Sequence, residues 1–235
     1  MSIGEKLTTI AENEQKVYEA GKQKEWSDFW DVFQNYGKLQ KYDSVFRNVD
    51  YLDYNSWRKE TLRPKYDVIP TSADRTFYGV KGITDLGEHF RELGVKLDFS
   101  KTTTFNACFC YGDWVTLPVI DASNASGNGI SGMCNYCSDL ETIEKLIMSE
   151  KTKIPSNPFV SCSKLKNIVI DGIIAASISF SNSPLTRESA LSVINHLKDV
   201  KDTGTTLTVT FSSTTKALLT DEDKAIATQR GWTIA

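Results

Sequence analysis

The sequence predicts a mixed α/β protein in which short parallel strands and turns stack as a solenoid, with helical segments at both ends. Three observations lead to this fold class. An apolar pattern recurs after residue 107, each copy ends in a short β-branched or apolar stretch, and the C-terminal part alternates helix-like and strand-like patterns. Because one such unit cannot bury both of its edges, neighbouring units are expected to stack.

The composition is that of an ordinary globular protein. The chain has 235 residues, 40% of them hydrophobic and 24% charged, and its 27 basic and 30 acidic side chains leave a net charge of −3. This balance provides no strong field for a polyanion, so no nucleic-acid partner is expected. Basic and aromatic residues do cluster between residues 57 and 66, but acidic residues are interleaved with them.

Neither a secretory signal nor a membrane span is expected. The stretch MSIGEKLTTIAENEQ lacks a basic start followed by a continuous apolar core, and the chain has no apolar run of transmembrane length. A cytoplasmic or particle-associated protein without a membrane partner is therefore predicted. The five cysteines are an odd number in a chain of this size, and we expect them to be free thiols.

The N-terminal part is predicted to lie outside the solenoid. It begins with a capping-box pattern and helical apolar spacing, and a second helical stripe stops at Gly37. The stretch that follows mixes aromatic and charged side chains without a steady period. The predicted segments are a helical leader, an aromatic-rich cap or linker, and the solenoid with its C-terminal cap: residues 1–37, 38–76 and 77–235.

Three successive segments carry the recurring pattern. In each, apolar or aromatic residues lie three positions apart, and the segments start 26 and then 25 residues after one another, within the range of leucine-rich repeats. Steps of three place one side chain per turn of a tight helical segment on one face. The predicted core rows are Cys108, Tyr111, Trp114 and Leu117; Cys134, Cys137, Leu140 and Ile143; and Phe159, Cys162, Leu165 and Ile168.

Each row leads into a short stretch with strand propensity, and these stretches are expected to pair as a parallel ladder. The C-terminal part then supplies a cap, in which Thr186 and Thr220 begin helices over RESALSVINHLKD and DEDKAIATQRG, and TTLTVTF and WTIA form strands. The predicted ladder strands are residues 97–99, 119–121, 146–148 and 168–170, with a second ladder near Phe105 and at residues 178–180.

The pattern F-x-x-C-x-x-L-x-x-I-x-I in FVSCSKLKNIVI resembles the BspA-like class of leucine-rich repeats, and the ending TTKALLTDEDKAIATQRGWTIA is similar to closing segments of such proteins. The resemblance covers residues 77–235 and departs from the pattern at Tyr111 and Trp114. The start LTTIAENEQKVYEAGKQKEWSDFW is similar to leaders of small repeat proteins from gut bacteria and their prophages. The resemblance implies a binding or adhesion surface without catalytic residues, in a phage-associated particle for prophage-type members.

Two short motifs suggest other chemistry. Cys134 and Cys137 form a C-x-x-C pair, and GNGISG from Gly127 to Gly132 is a G-x-G-x-x-G run. A zinc site needs four ligands, whereas these thiols occupy rows that elsewhere hold apolar residues, so they are interpreted as small buried hydrophobes. Only Cys110 has no place in the rows. The glycines are interpreted as a flexible surface loop between units, because the chain after them enters a repeat turn.

No metal, cofactor or catalytic site is predicted. His89 and His196 lie in helical patterns without a nucleophile nearby, and the acidic residues 221–223 stand at a helix start. The predicted function is non-catalytic binding of a protein or glycan through the solenoid surface. Two alternatives stay open: an assembly protein that oligomerises through residues 3–24, and a small enzyme with a site near the loop from Gly127 to Gly132.

Overall fold

The computed structural model describes residues 67–235, so the predicted leader, the helix over residues 3–24 and most of the predicted cap lie outside the described residues. Those described form a mixed α/β structure with two parallel sheets of three strands each. The elements in chain order are α1 Leu86–Glu92, β1 Thr116–Asp121, β2 Thr142–Met148, β3 Asn167–Gly172, β4 Ile178–Phe180, α2 Arg187–Asn195, β5 Leu207–Phe211, α3 Ser213–Leu218, α4 Asp221–Gln229 and β6 Trp232–Ile234.

The first sheet has the order β1-β2-β3. Leu117 lies opposite Ile143, which lies opposite Ile168, and all three side chains point into the core. The predicted ladder strands between residues 119 and 170 are confirmed, since each lies within one of these strands. Apolar side chains on one face of a parallel ladder form continuous rows, which bury the inner face of the sheet.

The prediction that residues 97–99 begin this ladder is wrong. Leu97 forms a parallel bridge with Val68, and the residue beside β1 is Asp85, which bridges Thr116. The physical reason is that the chain enters α1 directly after Asp85. The chain reaches Leu97 only after that helix, where the Val68 amide donates to the Lys96 carbonyl at 2.7 Å.

The second sheet has the order β4-β5-β6, and Ser179 lies opposite Thr210. The predicted strand at residues 178–180 is confirmed, but its expected partner near Phe105 is wrong. Thr104, next to Phe105, instead forms an isolated bridge with Gly129. The second sheet therefore pairs the predicted strand at residues 178–180 with the two strands, β5 and β6, that the sequence assigns to a cap.

The predicted caps of both C-terminal helices are confirmed. The Thr186 side chain accepts from the Ser189 amide, and Thr220 forms a capping box with Asp223 at the start of α4. The helix α3 was not predicted, because six residues carry too short an apolar pattern. Arg230 closes the end of α2 by donating to the carbonyl of its last residue, Asn195, at 2.7 Å and to that of Leu197 just beyond it at 2.8 Å.

The free edge of the first sheet is covered by α2. The Ile168 amide of β3 donates to the Ser189 hydroxyl oxygen at 2.9 Å, and the Ile170 amide donates to that of Ser192 at 2.9 Å. Helix side chains thus satisfy edge amides that a further strand would otherwise pair. The C-terminal elements are in this way joined directly to the first sheet.

The segments before the strands are successive β-turns, and the prediction of a tight helical segment is wrong. The Gly112 amide donates to the Phe109 carbonyl at 3.4 Å, and the third residue of that turn, Tyr111, has a φ of 59°. A type II turn requires this positive φ at its third residue. We call residues 73–80, 105–112, 130–137 and 155–162 turn segments one to four. Their positive-φ residues are Arg75, Gly79, Ala107, Tyr111, Gly132, Tyr136 and Ser161.

Backbone hydrogen bonds join consecutive turn segments and fix their alignment. The predicted boundary between residues 76 and 77 falls inside turn segment one, and Val68 and Ala73 belong to the same hydrophobic core as the later segments. The same backbone hydrogen bond recurs between each turn segment and the next. It runs from the Phe77 amide to the Cys108 carbonyl at 2.9 Å, from Phe109 to Met133 at 2.9 Å, and from Cys134 to Pro158 at 2.8 Å.

This alignment places one phenylalanine above another through the core. Phe77 stacks on Phe109 with ring centroids 5.8 Å apart, and Phe159 stacks on Phe180 at 4.9 Å. Phe180 in turn stacks on Phe211 of β5 at 6.1 Å. Cys134 occupies the aligned position between Phe109 and Phe159. We call these six buried residues the phenylalanine column: Phe77, Phe109, Cys134, Phe159, Phe180 and Phe211.

The predicted rows of the first repeat segment need a correction of one residue. Phe109 and Gly112, and not Cys108 and Tyr111, align with Cys134 and Cys137. The first repeat segment has one residue fewer between its turn and its strand than the second. Aligned residues of the two segments are therefore 25 positions apart in the turn and 26 positions apart in the strand. A register derived from strand residues therefore misplaces the turn residues, and Tyr111 is in fact 43% exposed.

Candidate binding surface

The eleven residues proposed as the structural repeat core are all buried, with exposed fractions of 1% or less. They pack in one hydrophobic cluster. Their side chains form the interior, so a binding surface has to be sought among other residues. The eleven are Cys108, Trp114, Leu117, Cys134, Cys137, Leu140, Ile143, Phe159, Cys162, Leu165 and Ile168.

The five thiols are free and buried, and three of them donate hydrogen bonds to carbonyls of an adjacent turn segment. Cys137 Sγ donates to the Phe109 carbonyl at 3.0 Å, and Cys162 Sγ donates to that of Cys134 at 3.0 Å. Cys110, which had no place in the rows, donates to the Gly132 carbonyl at 2.8 Å. A thiol is small enough for the core and still supplies a donor, which accounts for cysteine at these positions.

Turn segment two has an indole where the aligned segments have a thiol. Gly112 aligns with Cys137, and a Cβ at Gly112 would lie 2.0 Å from Trp114 Nε1. The indole therefore occupies the space that the aligned side chain would fill. Its Nε1 donates to the Phe109 carbonyl at 2.9 Å, the same acceptor that the Cys137 thiol uses.

The environment of the thiols opposes ionisation. Burial raises the pKa of Cys110 to about 11 and that of Cys162 to about 12, against an ordinary value of 9.0. Burial also raises the pKa of Cys108, Cys134 and Cys137 well above that value. Thiolates are the form that binds metals and attacks electrophiles, so these groups are poorly suited to either role. Residues 67–235 contain no cluster of three or more metal-ligating side chains.

Raising the pH above 9 is expected to destabilise the protein through these thiols. The unfolded thiols ionise near pH 9 while the folded ones stay protonated, so unfolding releases protons and becomes more favourable as the pH rises. Each such thiol lowers the free energy of unfolding by about 1.4 kcal/mol per pH unit above 9 until its folded pKa is reached. Urea unfolding of the wild type and of Cys108→Ala at pH 8 and pH 10 measures this. The free energy of unfolding of Cys108→Ala should fall less steeply with pH than that of the wild type, by the contribution of about one proton. Equal pH dependence of the two proteins would contradict the prediction.

The glycine run is an ordered part of the stack, so the interpretation as a flexible surface loop is wrong for its second half. Gly127 is exposed, but Gly129 is buried, and its carbonyl accepts from the Phe105 amide at 2.7 Å. A Cβ at Gly129 would lie 1.9 Å from the Lys153 carbonyl oxygen, which is why glycine is needed there. A β-turn follows, and no helix begins between residues 127 and 141.

Exposed tyrosines stack along one end of the turn segments. Tyr111 and Tyr136 occupy aligned positions, with ring centroids 4.7 Å apart and planes 13° apart. Tyr78 extends the stack, since its ring lies 5.3 Å from that of Tyr111 at 52°. Tyr111 is 43% exposed and Tyr136 is 48% exposed. We call Tyr78, Tyr111 and Tyr136 the tyrosine stack.

The backbone beneath the tyrosine stack favours glycine. Tyr111 and Tyr136 have φ values of 59° and 63°, and the aligned residue of turn segment one is Gly79, with a φ of 67°. A non-glycine residue in this conformation costs about 1–2 kcal/mol. The chain therefore keeps two large, half-exposed rings at positions where glycine would be less strained, a pattern that often marks a functional surface.

The cations near the tyrosine stack are engaged by acidic partners. Lys81 Nζ donates to the Tyr111 carbonyl at 2.7 Å and pairs with Asp113 at 2.7 Å. Arg75 lies 3.6 Å from Asp74. The pKa of the Tyr111 phenol is raised by partial desolvation and by the neighbouring tyrosines, so the hydroxyl stays protonated and able to donate. The surface is thus aromatic, and the cations beside it are paired with carboxylates.

A second surface feature is a groove of about 240 Å³ between residues 154–157 and the outer face of β4 and β5. It borders the loop from Gly127 to Gly132 that the enzyme alternative would use, since the hydroxyls of Ser156 in the groove and Ser131 in the loop lie 2.6 Å apart. No lining residue is charged, and none is a cysteine or histidine. The lining residues are Ile154, Pro155, Ser156, Asn157, Ser177, Ile178, Ser179, Thr208 and Thr210.

The fold and its surface together describe a mixed α/β protein with two parallel sheets and an exposed tyrosine stack. Among residues 67–235, no helix combines the length and apolar character that crossing a membrane requires. The chain matches no protein-family model, and neither the curated proteins nor the solved structures contain a match.

Proposed function

We propose that this protein is a non-catalytic binding module, a short BspA-like leucine-rich-repeat solenoid that recognises a protein or a glycan through the tyrosine stack. The exposed rings of Tyr111 and Tyr136 carry the proposal. Tyrosine combines a large rigid contact area with a hydroxyl donor, and it is enriched where proteins bind their partners. Because the N-terminal stretch is similar to leaders of prophage-type repeat proteins, we propose that the module is a component of a phage-associated particle.

The arrangement of the other residues between 67 and 235 supports this proposal. The cysteines, which would otherwise suggest metal or redox chemistry, are free, buried side chains of the core. Stacked turn segments hold successive side chains about 4.8 Å apart, the spacing between neighbouring strands, so the tyrosines form a rigid platform. Rigid aromatic residues lose little conformational entropy when a ligand binds.

The test compares the full-length protein with two double variants on a glycan array and a displayed peptide library. Tyr111→Phe with Tyr136→Phe retains both rings, whereas Tyr111→Ala with Tyr136→Ala removes them. The proposal expects at least one ligand that binds the wild type and the phenylalanine variant and is lost in the alanine variant. If every ligand binds the folded alanine variant as well as the wild type, the tyrosine stack is not the recognition surface.

A further inference from the structure

The tyrosine stack ends at Tyr136, and the way it ends favours one class of ligand. The aligned residue of turn segment four is Ser161, which has the same positive φ, 60° against 63°, but carries no ring. The Tyr136 amide donates to the Val160 carbonyl at 2.7 Å, which fixes the two segments beside each other. One face of the Tyr136 ring is stacked on Tyr111, and the next segment offers no aromatic side chain for the other face.

Two polar, uncharged residues follow Tyr136 along the direction of the stack. The Ser161 amide donates to Asn182 Oδ1 at 3.4 Å, so an exposed side-chain amide lies beside the backbone of Ser161. The Val160 amide donates to Asn135 Oδ1 at 2.8 Å. The amides of Val160 and Ser161 thus donate to side-chain oxygens of asparagines, whereas the amides of Tyr111 and Tyr136 donate to backbone carbonyls. A ring face bordered by a hydroxyl and an amide offers both stacking and hydrogen bonding to a small ligand.

We infer that the open face of Tyr136, with Ser161 and Asn182 at its border, binds a pyranose ring of a neutral carbohydrate. The C–H groups on the apolar face of a sugar carry partial positive charge, and an aromatic face carries negative charge density. Hydroxyl and amide groups at the border then serve the equatorial sugar hydroxyls. The inference rests on the proposed function, since it names the ligand class of the same surface.

The charge and size of the surface argue against the other ligands that stack on tyrosine. Nucleic acid needs unpaired cations for its phosphates, whereas Lys81 and Arg75 are paired with Asp113 and Asp74. A contiguous exposed apolar patch of several hundred Å² is one mark of a protein-binding site. The large hydrophobic side chains exposed within residues 67–235 are, apart from the two tyrosines, on the first sheet, directly after β3 or in α3: Val119, Val169, Ile173 and Leu218.

The experiment titrates the full-length protein with neutral hexasaccharides of glucose, mannose, galactose and N-acetylglucosamine by calorimetry. At least one is expected to bind, with the dissociation constant raised about tenfold or more by Tyr136→Ala and little changed by Tyr136→Phe. Asn182→Ala should weaken binding severalfold by removing a bordering amide. Val169→Ala, at a side chain 49% exposed on β3, is the matched control and should leave binding unchanged.

The outcomes separate this inference from the proposed function. If no hexasaccharide binds, but a displayed peptide binds and requires the tyrosine rings, the carbohydrate inference is overturned and the recognition surface stands. Saccharide binding that is indifferent to Tyr136→Ala would also overturn the inference. If neither saccharide nor peptide binding depends on Tyr111 or Tyr136, both proposals fail together.

Discussion

Replacing Phe159 by alanine is expected to lower the free energy of unfolding by about 3–5 kcal/mol. The side chain is fully buried, and its ring stacks on Phe180 at 4.9 Å. Removing it opens a cavity between Cys134 and Phe180, and the backbone bonds between turn segments hinder the neighbours from collapsing into it. Urea unfolding monitored by circular dichroism measures the loss as a lower midpoint with an unchanged slope.

Two control variants test whether the stability lost in Phe159→Ala comes from the buried volume of the ring. Phe159→Leu keeps most of the buried volume and should cost clearly less than the alanine variant. Val169→Ala, on the exposed face of β3, should stay within about 0.5 kcal/mol of the wild type. A loss below about 1 kcal/mol for Phe159→Ala would show that the phenylalanine column contributes little to stability.

The pair Gly112 and Trp114 is expected to show strong coupling in a double-mutant cycle. Trp114→Leu removes a fully buried indole and its hydrogen bond to Phe109, and should cost about 2–4 kcal/mol. Gly112→Ala should also be strongly destabilising, because its Cβ would lie 2.0 Å from Trp114 Nε1. In the double variant, the new methyl group enters the space that the indole has left.

The double variant should therefore lose less stability than the sum of the two single variants, by at least about 1 kcal/mol. Urea unfolding of the four proteins gives this coupling free energy. Gly127→Ala is the matched glycine control, since its nearest neighbour would be Thr103 O at 3.4 Å and it should be almost neutral. Additive losses at Gly112 and Trp114 would contradict the shared-space account.

Much of the local structure is readable from the sequence. Thr186 and Thr220 precede patterns with apolar residues on one helical face, and both cap helices in the structure. The strands of the first sheet follow from short apolar stretches that alternate with polar residues. These features depend on hydrogen bonds and side-chain spacing within a few residues, so neighbouring residues are sufficient to predict them.

The register of the first repeat segment is not readable in this way. The predicted rows align Trp114 with Leu140, but they align Tyr111 instead of Gly112 with Cys137, because a glycine does not resemble a cysteine in an apolar pattern. The equivalence of Gly112 and Cys137 appears only in the core, where the Trp114 ring fills the space beside Gly112. The shortening by one residue is invisible to a pattern that counts fixed steps of three.

The tyrosine stack was missed for a related reason. Tyr111 was assigned to the core because a step of three from Cys108 reaches it, although Tyr111 and Tyr136 lie 25 residues apart, which matches the period of the turn segments. That spacing between two tyrosines beside cysteines was the available signal. Only the positive φ of the third turn residue directs these rings outward, and backbone conformation of this kind is not specified by apolar spacing.

The α/β class, the period near 25 residues, the strands of the first sheet and the two threonine caps follow from the sequence, because they depend on spacing and hydrogen bonds within a few residues or on a pattern repeated along the chain. The pairing of β4 with β5, the cover that α2 provides for β3, and the exposure of the tyrosine stack are settled only in the folded molecule. These depend on segments separated by 20 or more residues, whose alignment is set by how side chains such as Trp114 fill the core rather than by any local preference.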